Sequence, residues 1–230
     1  MPPIQPVTKY LMLACTGIFC LQLLVPLTGW FALFPLSSGL FMPWQVLSYG
    51  LLHGDLSHLL FNMLGLWMFG SELESLWGRR RYGQFIAVCV VSAALVQLLV
   101  TYLMRSNAYT VGASGALFGL LLAYGLTFRN RRFDLVGFLP MLLIMVPSQM
   151  LNIAGMVLYF MLLTNRQAVP IPPVYVRALV MVGIFGALEL VLGLFFRTGV
   201  AHFAHLGGMI GGYLMLRFWR RPSTFGRGRR

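Results

Sequence analysis

Charge is what this chain has least of. Only 10% of its 230 residues are Asp, Glu, Lys or Arg, and just five of those are acidic. Together with a 59% hydrophobic content, that scarcity excludes a soluble globule, and the chain reads as an all-α, polytopic membrane protein. A helical crossing takes about 20 apolar residues, and in lipid every backbone group needs an internal partner. The length therefore holds about six or seven helices in one domain, with no room for a second. Cys15, Cys20 and Cys89 lack the CxxC spacing of a zinc or redox site and fall in apolar spans, where they pack. Ala116 after Gly115 denies the chain a GxSxG elbow, and no strand precedes it, which excludes a soluble acyl hydrolase. No internal repeat is evident, and the lack of paired half-sequence symmetry argues against a solute transporter or channel. No small-residue cleavage site follows Lys9 and its apolar stretch, so the first segment reads as a retained helix rather than a signal peptide.

The charge that is present is nearly all positive, a formal +12. In a soluble protein that would suggest nucleic acid, but its distribution points to topology. Basic residues gather at Lys9, Arg79 to Arg81, Arg129 to Arg132, and Arg217 to Arg230. Six core spans place every basic residue except Arg105 and Arg197 on the cytoplasmic side, as the positive-inside rule requires. The tail from 217 to 230 reads as a basic, disordered cytoplasmic extension of a single membrane domain over 1–216, with anionic headgroups as an alternative contact.

The first span is expected over Tyr10 to Trp30, after prolines 2, 3 and 6, and is followed by an outer, aromatic, interfacial loop from Phe31 to Ser57. The second span covers His58 to Trp77 and the third Gln84 to Met104. The fourth, from Ser114 to Phe128, is short for a crossing, which places Ser114 below the outer surface. Phe133 to Thr164 is apolar but interrupted by Pro140, Pro147, Ser148 and Gln149. It reads as a re-entrant or interfacial helical segment, because a single crossing would carry the Arg-rich tail outside. A fifth span follows from Arg177 to Phe196, and the last contains His205.

Ser114 opens an apolar run framed by Gly112, Gly115 and Gly119. It is a candidate nucleophile, although serines also pack transmembrane helices or bond back to helix carbonyls. A nucleophilic hydroxyl needs a base and oxyanion donors. His205 shares a helix face with Gly208 and Gly212, where another backbone can approach closely; the alternative is a glycine seam with a histidine satisfied by a carbonyl. His58 and Asn62, four apart, face one way and suit an oxyanion hole or an interhelical hydrogen bond. A metal site there lacks a third ligand.

Gly112, Ala113, Ser114 and Gly115, then His205 with Gly208 and Gly212, then His58 with Asn62, together resemble the rhomboid family of intramembrane serine proteases. Trp44, Gln45, the run His53 to Asn62, and Gly70, Glu74 and Gly78 extend the likeness, which covers about Phe31 to Gly212. The resemblance implies a six-helix core, an outward-opening cavity, and a Ser/His dyad with no acidic third member. It makes Ser114 the nucleophile and His205 the base, with His58, Asn62 and the Ser114 N–H as the oxyanion hole. It stacks Phe118 beside the base and has Glu74 tie a loop to a helix. Residues 133–164 depart from the family pattern and leave the wiring between the fourth and fifth core helices open.

Glu189 reads first as a carboxylate buried against a polar partner, with a catalytic role as the alternative; His202 reads as a packing or loop-anchoring residue or one lining the cavity, and His53 as structural. The function expected is cleavage of transmembrane segments of other proteins at the bacterial inner membrane, with lipids and client helices as partners and no cofactor, metal or nucleic acid. The alternative is a non-catalytic rhomboid-like binder of membrane helices in quality control or trafficking.

Overall fold

The computed structural model describes residues 2–138, 140, 149–168, 170–196 and 201–220. Among the described residues, eight helices of seven or more residues carry the fold: α1 (Pro6–Gln22), α2 (Leu56–Gly65), α3 (Ser71–Trp77), α4 (Arg79–Leu103), α5 (Ser114–Thr127), α6 (Gln149–Thr164), α7 (Ala178–Phe195) and α8 (His202–Trp219). A π-helical turn, Leu66–Gly70, joins α2 to α3, so the expected second span is one continuous rod from Leu56 to Trp77. Gly78 ends it at φ 78°, a conformation that costs a residue without a Cβ little.

The first helix lies earlier in the chain than expected, over Pro6–Gln22 rather than Tyr10 to Trp30. Pro6 occupies the first turn, where its missing N–H costs nothing. Glu74 then supplies the acceptors that the turn needs. Its Oε1 accepts from the Val7 N–H at 2.9 Å, and its Oε2 from the Thr8 N–H at 2.8 Å and the Thr8 hydroxyl at 2.9 Å. Glu74 thus ties helix to helix by capping α1, instead of tying a loop to a helix.

Two helices, α4 and α7, are long and apolar enough to cross a bilayer. At 1.5 Å per residue, α4 reaches about 37 Å against a hydrocarbon core of about 30 Å. Their outward faces expose Leu95, Leu99, Val180, Ile184 and Leu194, apolar surface suited to lipid. The inward faces pack α5 between α4, α7 and α8, with Cys89, Leu120, Ala123 and Met181 fully buried.

The segment after α5 holds the fold's departure from pure helix. Strands β1 (Arg132–Asp134) and β2 (Tyr175–Arg177) pair antiparallel, with Arg132 opposite Arg177 and Asp134 opposite Tyr175. Asp134 locks this clip. Its Oδ1 accepts from the Val136 and Val174 N–H groups at 3.1 Å each, and its Oδ2 pairs with the Arg166 guanidinium. The chain therefore leaves and re-enters the bundle at one place, and the core wiring from α5 to α7 is a closed excursion that carries α6. The re-entrant or interfacial course expected here falls partly on 139 and 141–148, outside the described residues. Arg197 and the tail beyond Arg220 lie outside them too. Helix α8 continues through Arg217 to Trp219, whose ring meets Trp77 edge-on at 5.2 Å.

Candidate active site

The site is assembled by glycines. Gly207 and Gly211 of α8 face α4, where the Ser92 hydroxyl donates to the Gly207 carbonyl at 2.7 Å. Gly208 and Gly212, a step round the helix, face α5. A Cβ on Gly208 would stand 1.8 Å from the Gly115 carbonyl oxygen, and one on Gly119 would stand 2.9 Å from the Gly208 carbonyl. Only bare backbone permits this approach. Its result is that the first residue of α5 meets the first turns of α8: Ser114 Oγ lies 2.8 Å from His205 Nε2. One turn on, the Phe118 ring lies parallel to the His205 ring, centroids 4.3 Å apart and planes within 6°.

The approach to Ser114 is held from the outer loop. Leu33 and Thr110 exchange backbone hydrogen bonds at 2.9 Å, and the Gly112 N–H donates to the Tyr49 carbonyl at 2.9 Å. Buried Gln45 organises that loop, accepting from the Phe34 and Met42 N–H groups and donating to the Trp30 and Leu40 carbonyls. Gly112 sits at φ 123°, and a Cβ there would fall 2.7 Å from the His58 ring. Both conditions call for glycine.

His58 thus borders the Ser114 hydroxyl. Asp55, the N-cap of α2, accepts from the His58 N–H at 2.8 Å. The Gly54 N–H points at His58 Nδ1 from 3.4 Å. An acceptor at Nδ1 puts the ring proton on Nε2, the end facing Gly112 and Ser114. Asn62 is fully buried, but its Nδ2 donates to the His58 carbonyl at 2.8 Å and its Oδ1 has no partner among the described residues. Its amide is therefore engaged within its own helix. Ser114 itself begins α5, whose first amides have no preceding turn to bond to and carry the positive end of the helix dipole.

A carboxylate stands behind His205. Glu189 of α7 is 1% exposed, with Oε2 2.6 Å from His202 Nδ1 and 2.9 Å from His205 Nδ1. The resemblance to a dyad without an acidic member did not foresee this; the sequence had Glu189 buried against a polar partner, without naming it, and His202 as a packing or anchoring residue. A signal was present. Gly186, Glu189 and Gly193 lie at i, i+3 and i+7, and both glycines abut α8, through Met209 and through His202 and Phe203. Glu189, His202 and His205 are also the one described group of donors, all within 4.8 Å of one another, that could hold a metal ion. The sequence assigned no metal there.

The model for the Rhomboid domain matches residues 40–159 and 152–222. Rhomboid protease GlpG of Klebsiella pneumoniae is 31% identical over 120 residues, 50% of this chain and 41% of that protein. RHOMBOID-like protein 5 of Arabidopsis thaliana is 38% identical over 78 residues, 34% of this chain and 25% of that protein. RHOMBOID-like protein 4 of the same plant is 41% identical over 78 residues, 19% of its length. The chain spans less than half the length of these curated relatives. With the family match running through Ser114 and His205 and over most of the helical bundle, this chain belongs to the rhomboid family and is an integral membrane protein.

Proposed function

We propose that this protein is an intramembrane serine endopeptidase that cleaves transmembrane segments of other membrane proteins. The observation that carries the reading is the 2.8 Å contact between Ser114 Oγ and His205 Nε2, made inside an apolar bundle. Ionisable groups are costly there, and their conjunction with a hydroxyl asks for a function.

In the first half-reaction Ser114 Oγ attacks the client's carbonyl carbon while its proton passes to His205 Nε2. The charge that develops on the carbonyl oxygen falls to the Ser114 N–H, the His58 Nε2–H and the Asn62 amide, which turns from the His58 carbonyl to reach it. The C–N bond then breaks, and Nε2 returns the proton to the leaving amine. This leaves an ester on Ser114. In the second half-reaction a water gives its proton to Nε2 and its oxygen to the acyl carbon, after which the serine recovers its proton. Phe118 restrains the imidazole between these two duties.

The surroundings of the base are apolar. A small apolar cavity lined by Phe61, Leu64, Leu117, Tyr159 of α6 and Phe185 of α7 includes Phe118, the ring that stacks on the base. A client helix must unwind locally, because its carbonyls are otherwise tied up in its own hydrogen bonds. The placement supported by charge is a multi-pass protein of the bacterial inner membrane, with Arg131, Arg166 and Arg177 on the cytoplasmic side.

The test is cleavage of a reporter transmembrane substrate by the purified protein in lipid. Wild type is expected to cleave; Ser114→Ala and His205→Ala are expected to bind the reporter without cutting it. Cleavage that survives in Ser114→Ala removes the assignment. Binding without cleavage in wild type would instead make the chain a non-catalytic binder of membrane helices.

A further inference from the structure

Four of the five acidic side chains have evident structural duties. Asp55 caps α2, Glu74 caps α1, Asp134 locks the strand clip, and Glu72 accepts from the Tyr124 hydroxyl at 2.7 Å and pairs with Arg131. Glu189 alone addresses two imidazoles. It sits between glycines on the α7 face that meets α8, and no cation of Lys or Arg type reaches it among the described contacts.

Ionised carboxylate oxygens only accept hydrogen bonds. Oε2 at 2.6 Å from His202 Nδ1 and 2.9 Å from His205 Nδ1 therefore asks both nitrogens to carry their protons. For His205 this leaves Nε2 as a bare lone pair, facing the Ser114 hydroxyl at 2.8 Å. The contact to His205 has the length of a hydrogen bond but not its geometry, and Nδ1 makes no hydrogen bond among the described residues. Such contacts in unliganded sites commonly straighten when substrate binds. His202 holds the same oxygen, Oε2, at 2.6 Å, so the two rings share it.

We propose that Glu189 is a positioning residue of the catalytic apparatus, making a Glu189–His205–Ser114 relay in which His202 fixes the carboxylate. The inference rests on Ser114 and His205 as nucleophile and base. Glu189 keeps His205 in its Nδ1–H tautomer and neutralises the imidazolium formed when Nε2 takes the serine proton, while the proton on Nδ1 stays on the ring. Hydrogen-bond separations to both rings favour this over a metal ion, which would stand between the donors at about 2.0–2.2 Å from each.

The experiment compares wild type, Ser114→Ala, Glu189→Gln and His202→Gln in one detergent. It reads kcat and KM on the reporter, the rate of labelling by a fluorophosphonate with the labelled peptide identified, and thermal unfolding. Glu189→Gln keeps the shape but offers an amide that cannot hold the tautomer. Expected are at least 100-fold losses in kcat and labelling rate, KM within threefold, and an unfolding temperature within a few degrees of wild type; His202→Gln loses about 10-fold. A Glu189→Gln that labels at the wild-type rate, or loses activity only in step with its folded fraction, overturns the inference alone. Wild type that cleaves without labelling at Ser114 overturns it together with the nucleophile. A wild-type labelling rate that collapses with 1,10-phenanthroline overturns it in favour of a metal. The 15N resonances of the histidines in wild type provide a test independent of variants: His205 must show a protonated Nδ1 and a bare Nε2, and the opposite tautomer refutes the relay.

Discussion

Phe118 and His205 lie face to face, 4.3 Å between centroids and 6° from parallel, so a residue one turn beyond the serine sets the plane of the ring that contacts it. An aromatic pair of this kind contributes about 0.5–1.5 kcal/mol beyond its buried area. Phe118→Leu keeps most of the apolar volume but frees the ring to swing. Its kcat is expected to fall about 10-fold with KM nearly unchanged. Steady-state cleavage of the reporter checks this, and an unaltered kcat would show that the stack restrains nothing.

The glycine seam makes a sharper forecast. In Gly208→Ala the new methyl would have to occupy a point 1.8 Å from the Gly115 carbonyl oxygen, and a backbone atom moves only if the helices part. About 1–3 kcal/mol of destabilisation is expected, with loss of cleavage because Ser114 and His205 separate. Gly183→Ala on α7 meets nothing within 4 Å. That control is expected to be neutral or to stabilise by up to about 1 kcal/mol through helix propensity. Thermal unfolding of the two variants side by side decides it; equal melting temperatures would contradict the close approach.

His58 and Asn62 separate binding from chemistry. Donors that meet charge only in the transition state lower kcat and leave KM alone when removed. His58→Ala and Asn62→Ala are each expected to cost about 100-fold in kcat, the magnitude typical of one lost oxyanion donor. Raised KM at constant kcat in either variant would assign that residue to substrate binding instead.

His53 in the outer loop predicts how stability responds to acid. The side chain is 1% exposed, and burial first, then the like charge that His58 would carry, push its imidazole down to about 3. The folded protein thus keeps His53 neutral where the unfolded chain, with a pKa near 6.5, takes up a proton. Stability from this residue is complete above about pH 6.5 and declines as pH falls toward about 3, reaching a loss of about 2 kcal/mol near pH 5. His53→Gln removes that decline. The fall in unfolding temperature between about pH 7.5 and about pH 5 is expected to be smaller in the variant, and an equal fall in both proteins would rule out His53 as its source.

Much of the site was readable along the chain because its parts are local. Gly112, Ser114, Gly115 and Phe118 lie within one helix start, His58 and Asn62 within one turn, and His205, Gly208 and Gly212 on one face, so spacing alone groups them. The helical rods were readable for the same reason, since a run of apolar residues in lipid has little alternative to a helix. Pro6 misled, because its place inside the first turn of α1 depends on Glu74, 67 and 66 residues away from the amides it accepts.

What the sequence by itself determined is the class of the protein, because bilayer thickness and helix periodicity act on neighbours in the chain; the hydroxyl and imidazole it offered as candidates, through the resemblance. What only the tertiary structure decided is which distant groups share a point in space. The clip between Arg132 and Arg177 closes a stretch that no periodicity describes. The carboxylate of Glu189 reaches His205 only because Gly186 and Gly193 let α7 settle against α8. Side chains from separate helices meet through packing, and packing is set by the whole set of small and large residues on two faces rather than by any motif on one.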